Sequence, residues 1–263
     1  MSGPTILQLG LYLVVLVGLA WPLGIAMARV YQGERVLLDR IIGWLERGLY
    51  RLAGVRAAVE QGWRAYAAAF LAFHLASFLA VYLIQRLQGF LPLDPQGFPS
   101  VPPDLAFNTA MSFMTNTNWQ SYGGETTMSH FTQMAALTVQ NFVSAASGMA
   151  VLAALARALA RRQAETVGNF WVDLVRGTLY VLLPLSLLVG LVLCSQGVVQ
   201  TLRARVTVRL LEPTKDADGK AVTEQTLALG PAASGVGRAW GRGLPPPGQP
   251  RARSRIEVAM LRR

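Results

Sequence analysis

The chain has 263 residues, 52% of them hydrophobic and only 14% charged, against roughly 25% charged residues in ordinary soluble domains; this excludes both a soluble enzyme of ordinary composition and a disordered chain. One cysteine, Cys194, excludes an internal disulfide framework, and two histidines, His74 and His130, leave little for a histidine-rich metal site. The net charge of +10 is lopsided: residues 235–263 carry seven arginines against Glu257, and the other 234 residues carry 17 basic against 13 acidic side chains, only +4. No basic patch interleaved with aromatics lies outside the tail, so no nucleic-acid partner is expected.

Ile6 to Ala28 contains no charge. As a helix it would be about 34 Å long, enough for a bilayer core of about 30 Å. A signal peptide would carry a basic start, a shorter apolar core and a small-residue cleavage site. Residues 1–5 hold no Lys or Arg, and Trp21-Pro22-Leu23-Gly24 is not such a site, so a retained span is expected.

The connector over residues 29–62 is not a plain loop. Val36, Leu37, Ile41, Trp44, Leu45, Leu49 and Leu52 recur at helical spacing, with Arg35, Asp39, Glu46, Arg47 and Arg51 largely opposite. An amphipathic helix on the inner leaflet fits this pattern, and so does a helix that docks a partner.

A second span is expected over Trp63–Gln85, with Arg64 and Arg86 at its ends. A third covers Thr132–Ala156 and ends in Arg157, Arg161 and Arg162. The fourth, Gly177–Cys194, holds Pro184 in its interior, where a kink is expected. Arginine counts orient the set. Residues 29–62 and 157–176 hold Arg29, Arg35, Arg40, Arg47, Arg51 and Arg56, and Arg157, Arg161, Arg162 and Arg176, whereas residues 86–131 hold only Arg86. The first and third connectors are therefore expected in the cytoplasm, and the second connector and the N-terminus outside.

The second connector is the informative one. Pro102-Pro103-Asp104 is a helix start, with Asp104 as the expected cap. Leu105 to Met114 then reads as an apolar helix too short to cross a membrane, followed by the polar run Thr115-Asn116-Thr117-Asn118-Trp119-Gln120-Ser121-Tyr122-Gly123-Gly124. Non-helical backbone at membrane depth survives only inside protein or along a watery cavity. Span, short helix, polar segment, span is the order of a channel pore loop, in which backbone carbonyls replace a cation's water. An external loop with a short helix is the other reading.

In the third span, Gln133, Gln140, Asn141, Ser144 and Gly148 fall near one face. Polar residues inside a span usually face the bundle or a cavity. Ser144-Ala145-Ala146-Ser147-Gly148 also suits close helix packing, which explains the small residues better than it explains Gln140 and Asn141. His74, within the second span, is read as a neutral, hydrogen-bonded histidine without an assigned role, and Cys194 and His130 as incidental.

Asn108-Thr109-Ala110, Ser112-Phe113, Thr115 to Tyr122 and Gly124-Glu125-Thr126-Thr127 closely resemble the first pore loop of the potassium-binding subunit of the bacterial Kdp potassium-transporting ATPase. Leu137 to Phe142, Ser144 to Gly148, Gly168 to Leu174 and Leu229-Gly230-Pro231 also resemble that family, so the likeness covers about residues 1–234. The resemblance implies an all-α membrane protein, part of a potassium-channel-like fold with four fused span–pore–span repeats behind an extra first helix. It implies a filter at Thr115, Asn116, Thr117 and Asn118, supported by Trp119, Gln120, Gly123, Gly124, Gln140 and Asn141. It further implies that potassium is taken from outside, across the bacterial inner membrane, and passed to a separate P-type ATPase subunit, with a small accessory subunit assisting. A homotetramer of single pore loops is the alternative assembly.

The expected organisation is an extra span over 1–28, a cytoplasmic connector over 29–62 and a first repeat over 63–158. The first span of a second repeat follows over 159–199, then an outward loop with a β-hairpin over 200–234 and an Arg/Pro-rich tail over 235–263. The hairpin is read from Val206 to Leu210 and Val222 to Leu227 around Asp218-Gly219. The family's second filter motif, Gly-Thr-Asn-Gly-Gly-Gly, does not occur after residue 234, and neither do further spans. The expectation is a truncated first part of such a subunit with an out-of-frame tail, not competent alone; a lineage-specific basic tail on anionic lipid is the alternative. No phosphate-binding Gly-x-x-x-x-Gly-Lys-Ser/Thr loop and no Asp-Lys-Thr motif occurs, so no ATP site is expected.

Overall fold

A computed structural model describes residues 3–161, 165–196, 202, 206–215 and 221–227. Among the described residues, four helical stretches are long and apolar enough to cross a membrane: Pro4–Gln32, Trp63–Phe90, Thr132–Ala160 and Phe170–Ser195. The first is helix α1 (Gly3–Gln32), exposed along nearly all its length and packed only near its end, where Met27 and Val30 join the core. Helix α2 (Asp39–Leu52) follows, then α3 (Trp63–Leu87), closed by a single 3-10 turn over Gln88–Phe90.

Helix α4 (Pro103–Met114) starts as the sequence suggests but not through a cap. The capping position is Pro102, and Asp104 makes no capping hydrogen bond. Pro103 supplies a helical φ where no N–H is needed, and Asp104 in the first turn meets the positive end of the helix dipole. A one-turn helix α5 (Gly124–Thr127) precedes the third span. That span opens with a π-helical stretch, Thr132–Thr138, and continues as α6 (Val139–Ala160).

The fourth span begins earlier than hydropathy suggests. Helix α7 (Phe170–Arg176) runs through a π-helical stretch, Gly177–Leu182, into α8 (Leu183–Ser195). Asn169 starts it, its side chain accepting from the amides of Trp171 and Val172 at 3.1 and 3.4 Å. The expected connector over 157–176 thus shrinks to residues between α6 and α7, and Arg157 and Arg176 belong to helices. The widened π turns lie directly before Pro184 and take up the space its ring needs against the preceding carbonyls.

Strands β1 (Val206–Lys215) and β2 (Ala221–Leu227) pair antiparallel, Val206 opposite Leu227 and Lys215 opposite Ala221, with a register shift between Arg209 and Thr214. Asp218-Gly219 and the tail over 235–263 lie outside the described residues.

Three apolar clusters hold the helices. Val81, Ala106, Ala110, Phe113, Met128 and Leu137 pack α4 between α3 and the third span. Tyr66, Ala146, Ala150, Ala154, Phe170 and Leu174 join α3, α6 and α7. Here the small residues of α6 work as the sequence suggests, since Ala146 and Ala150 are fully buried. Gly148 is different: it is exposed, and a methyl on it would touch nothing. Val30, Leu179, Tyr180 and Val181 form the third cluster, between α1, α2 and the fourth span.

Candidate ion-binding site

The polar run begins where α4 ends. A helix leaves its last carbonyls without partners, and here the following residues supply them. The amides of Thr115 and Asn116 donate to the carbonyls of Met111 and Phe113 at 3.0 and 3.2 Å. Those of Thr117 and Asn118 both donate to the Ser112 carbonyl, at 2.9 and 3.3 Å. So tight a return needs left-handed backbone, and Asn116 and Asn118 have φ of 56° and 55°. Asparagine is among the few non-glycine residues that adopt this region readily.

The peptide unit is planar and trans, so each carbonyl points opposite the next residue's N–H. The N–H groups of Asn116, Thr117 and Asn118 face the end of α4. The carbonyls of Thr115, Asn116 and Thr117 therefore face away from it. Among the described residues no hydrogen bond reaches the carbonyls of residues 115–118. The backbone donors are used and the acceptors are free, an arrangement suited to a cation and not to an anion.

Side chains hold the loop. Ser112 Oγ donates to the Trp119 carbonyl at 2.9 Å, and the hydroxyls of Thr115 and Thr117 lie 2.8 Å apart. Asn118 Nδ2 donates to Asn116 Oδ1 at 3.2 Å, and Ser144 Oγ from α6 reaches the same oxygen at 3.4 Å. Gln140 lies one helical turn before Ser144; its Nε2, Asn141 Oδ1 and Asn118 Oδ1 are buried polar atoms without a hydrogen bond. Thr115, Asn116 and Thr117 are exposed in this single chain.

The other expected support residues divide. Trp119 and Gln120 are exposed, and Gln120 makes no hydrogen bond among the described residues. Gly123 and Gly124 build the α5 turn, through Thr126 and Met128 amides donating to their carbonyls at 3.1 Å. Gln133 does not face a cavity: its Nε2 ties the carbonyls of Gly124 and Met128 at 3.2 and 2.8 Å. The Tyr122 hydroxyl is buried and has no hydrogen-bond partner among the described residues.

Sequence reasoning missed the residues that clamp the loop. Gln88 is fully buried. Its Nε2 donates to the carbonyls of Pro99 and Thr127 at 2.7 and 2.9 Å, and its Oε1 accepts from Ser129 N–H and Thr132 Oγ at 3.2 and 3.1 Å. One side chain thus joins the limb that enters α4 to the limb that enters the third span. Gln85 Nε2 donates to the Ala106 carbonyl at 3.3 Å, and Arg86 binds the Val101 carbonyl. The available signal was three polar side chains, Gln85, Arg86 and Gln88, at the end of an apolar span.

At the other end of the bundle, Arg157 on α6 and Asp173 on α7 form a buried pair at 2.5 Å. Tyr66 Oη donates to Asp173 at 3.0 Å and to the Ala150 carbonyl at 2.7 Å. His74 is hydrogen-bonded on both sides, to the Phe70 carbonyl at 2.9 Å and Ser147 Oγ at 3.3 Å. A cavity of about 260 Å³ beside α2 is lined by Glu34, Asp39, Glu46, Arg35, Arg47 and Arg176, whose charges balance.

A family model described as the potassium-transporting ATPase A subunit matches residues 10–237. The potassium-transporting ATPase potassium-binding subunit of Sorangium cellulosum is 60% identical over 236 residues, covering 90% of this chain and 41% of that protein. Its counterparts in Herpetosiphon aurantiacus and Methylococcus capsulatus are 54% and 56% identical, with 41% and 43% of their lengths covered. The chain therefore spans about two fifths of the length of the curated relatives it matches.

Proposed function

Because the chain belongs to the potassium-transporting ATPase A subunit family, we propose that it is the potassium-receiving part of an ATP-driven import complex. In this reading α4 is a re-entrant pore helix and Thr115 to Asn118 are one wall of an ion filter, with the remaining walls supplied by further repeats of a complete subunit. The observation that carries it is the backbone of residues 115–118: every amide bonds back to the end of α4, and no carbonyl among them has a partner among the described residues. Carbonyls so presented replace a cation's hydration shell. Gln140 and Asn141, with unpartnered polar atoms on α6, form the polar surface behind that wall.

The arginine-rich connectors support a topology with residues 29–62 in the cytoplasm and with the N-terminus, the loop that carries α4 and the β1–β2 pair outside. The membrane is the bacterial inner membrane. In this reading ATP hydrolysis belongs to a separate P-type ATPase subunit, since this sequence holds no Asp-Lys-Thr motif whose aspartate could form an aspartyl-phosphate, and a small accessory subunit completes the complex.

The test is potassium uptake by the complete transport complex carrying this chain, with Asn116→Val and Asn116→Gly compared. Asn116 has φ of 56°. A β-branched residue there costs about 1–3 kcal/mol of backbone strain, which corresponds to a rise of about 5- to 150-fold in half-saturating potassium. Glycine adopts this φ freely and leaves half-saturation within about twofold. An unchanged half-saturation in Asn116→Val refutes the assignment.

A further inference from the structure

Helix α2 is amphipathic, and the structure shows which way it faces. Its carboxylates point into the protein. Glu46 accepts from Tyr50 Oη at 2.8 Å, Tyr180 Oη at 2.7 Å and Arg176 Nε at 3.1 Å. Asp39 accepts from the Val36 amide at 2.8 Å. Gly43 and Tyr50 are buried on the same side.

The apolar line is left outside. Ile41 is 64% exposed, Trp44 67% and Leu52 87%, and Leu37 just before the helix is 81% exposed. At 3.6 residues per turn, Ile41, Trp44, Gly48 and Leu52 fall within an arc of about 80°, opposite Asp39 and Glu46. Arg40 and Arg51 border that arc on one edge, both exposed and neither in a salt bridge among the described residues, whereas Arg47 turns to the cavity beside Asp39 and Glu46. The outward surface is therefore apolar at its centre and purely cationic at its border.

A soluble helix with this sequence would turn the other way, apolar side in. Here the hydrogen bonds of Glu46 to the fourth span, with Ile42 and Leu45 packed on the cluster of Val30 and Tyr180, fix an orientation that leaves Ile41, Trp44 and Leu52 outside. The helix is anchored at Val30 and Arg176, the ends of the first and fourth spans, so it sits where those spans leave the hydrocarbon.

We propose that α2 is an interfacial helix that inserts Ile41, Trp44 and Leu52 into the leaflet at the arginine-rich end of the spans and binds anionic lipid headgroups through Arg40 and Arg51. Two features select this occupant. The exposed charge beside the apolar arc is all of one sign, complementary to an anionic leaflet. Trp44, at the edge of the arc nearest Arg51, has the apolar body and polar N–H that favour the membrane interface. The proposal stands apart from the potassium reading, because it needs no transport.

The test uses the full chain in lipid nanodiscs. Fluorescence of Trp44, taken as the difference between the parent and Trp44→Phe, is followed with lipid brominated near the headgroup end of the acyl chains. In discs containing brominated phosphatidylglycerol the Trp44 signal falls by about half, because only a ring seated at the interface lies within contact range of those bromines. Arg40→Gln with Arg51→Gln, or the parent at raised salt, brings the quenching down to that of zwitterionic discs. The salt arm keeps the test intact should the double variant fold poorly. No quenching of Trp44, equal quenching in brominated phosphatidylcholine discs, or loss of quenching on assembly with the other transport subunits overturns the proposal; the last outcome makes the occupant a protein.

Discussion

Replacing Gln88 by leucine keeps the volume of a fully buried side chain and removes its four hydrogen bonds. The carbonyls of Pro99 and Thr127 and the amide of Ser129 lose the partner that Gln88 supplies, and no water takes its place in the packed interior. At ~0.5–1.5 kcal/mol net per bond the loss lies between about 2 and 6 kcal/mol. The mean for hydrogen bonds in membrane bundles, ~0.6 kcal/mol, places it toward the lower end, about 2.4 kcal/mol for the four. Reversible denaturant unfolding of the solubilised chain measures this directly. Hydrogen exchange then locates it: the Ser129 amide, which now donates to Gln88 Oε1, exchanges faster, and so do the Thr117 and Asn118 amides once the loop loosens. Gln88→Glu keeps the acceptor but not the donor, so it restores protection at Ser129 without restoring the clamp on Pro99. A loss below about 1 kcal/mol with unchanged exchange at Ser129 refutes the clamp.

Gly168 has φ of 109°, and a methyl there would land on the Arg157 guanidinium; Gly168→Ala therefore costs about 2–4 kcal/mol in the same unfolding assay, through strain and a disturbed Arg157–Asp173 pair. Hydrogen bonds from Arg161, then from Thr166, hold the Glu60 carboxyl below its ordinary 4.5. Its contribution is thus complete above pH 4.5 and lost as pH falls through the lower folded value; unfolding midpoints of the parent and Glu60→Gln differ near neutrality and converge in acid. With Cys194→Ser as background, Ala57→Cys reacts with an impermeant thiol reagent only after the cytoplasmic face is opened, and reaction in intact cells reverses the topology.

The spans were legible from sequence because crossing a membrane demands about 20 apolar residues in a row, and Ile6–Ala28 or Trp63–Gln85 cannot satisfy that by accident. Helix α4 and the polar run after it were legible for a similar reason: Pro102-Pro103-Asp104 starts a helix locally, and Thr115 to Asn118 cannot continue an apolar one. Where charges lie inside the protein, the sequence misled. Arg157, Asp173 and Arg176 count as connector residues in any hydropathy window, yet Asp173 is buried against Arg157 and Arg176 binds Glu46. A window adds charges one by one, whereas burial depends on whether an opposite charge arrives from 16 or 130 residues away. The orientation of α2 is the clearest instance. Its periodicity shows apolar and charged residues on different sides, but the tyrosines and arginine that reach Glu46, and the packing of Ile42 and Leu45 on Val30 and Tyr180, decide which apolar residues turn outward. The direction of the carbonyls at Thr115, Asn116 and Thr117 was likewise beyond the sequence, because asparagine adopts either sign of φ and the end of α4 selects the positive one by taking their amides.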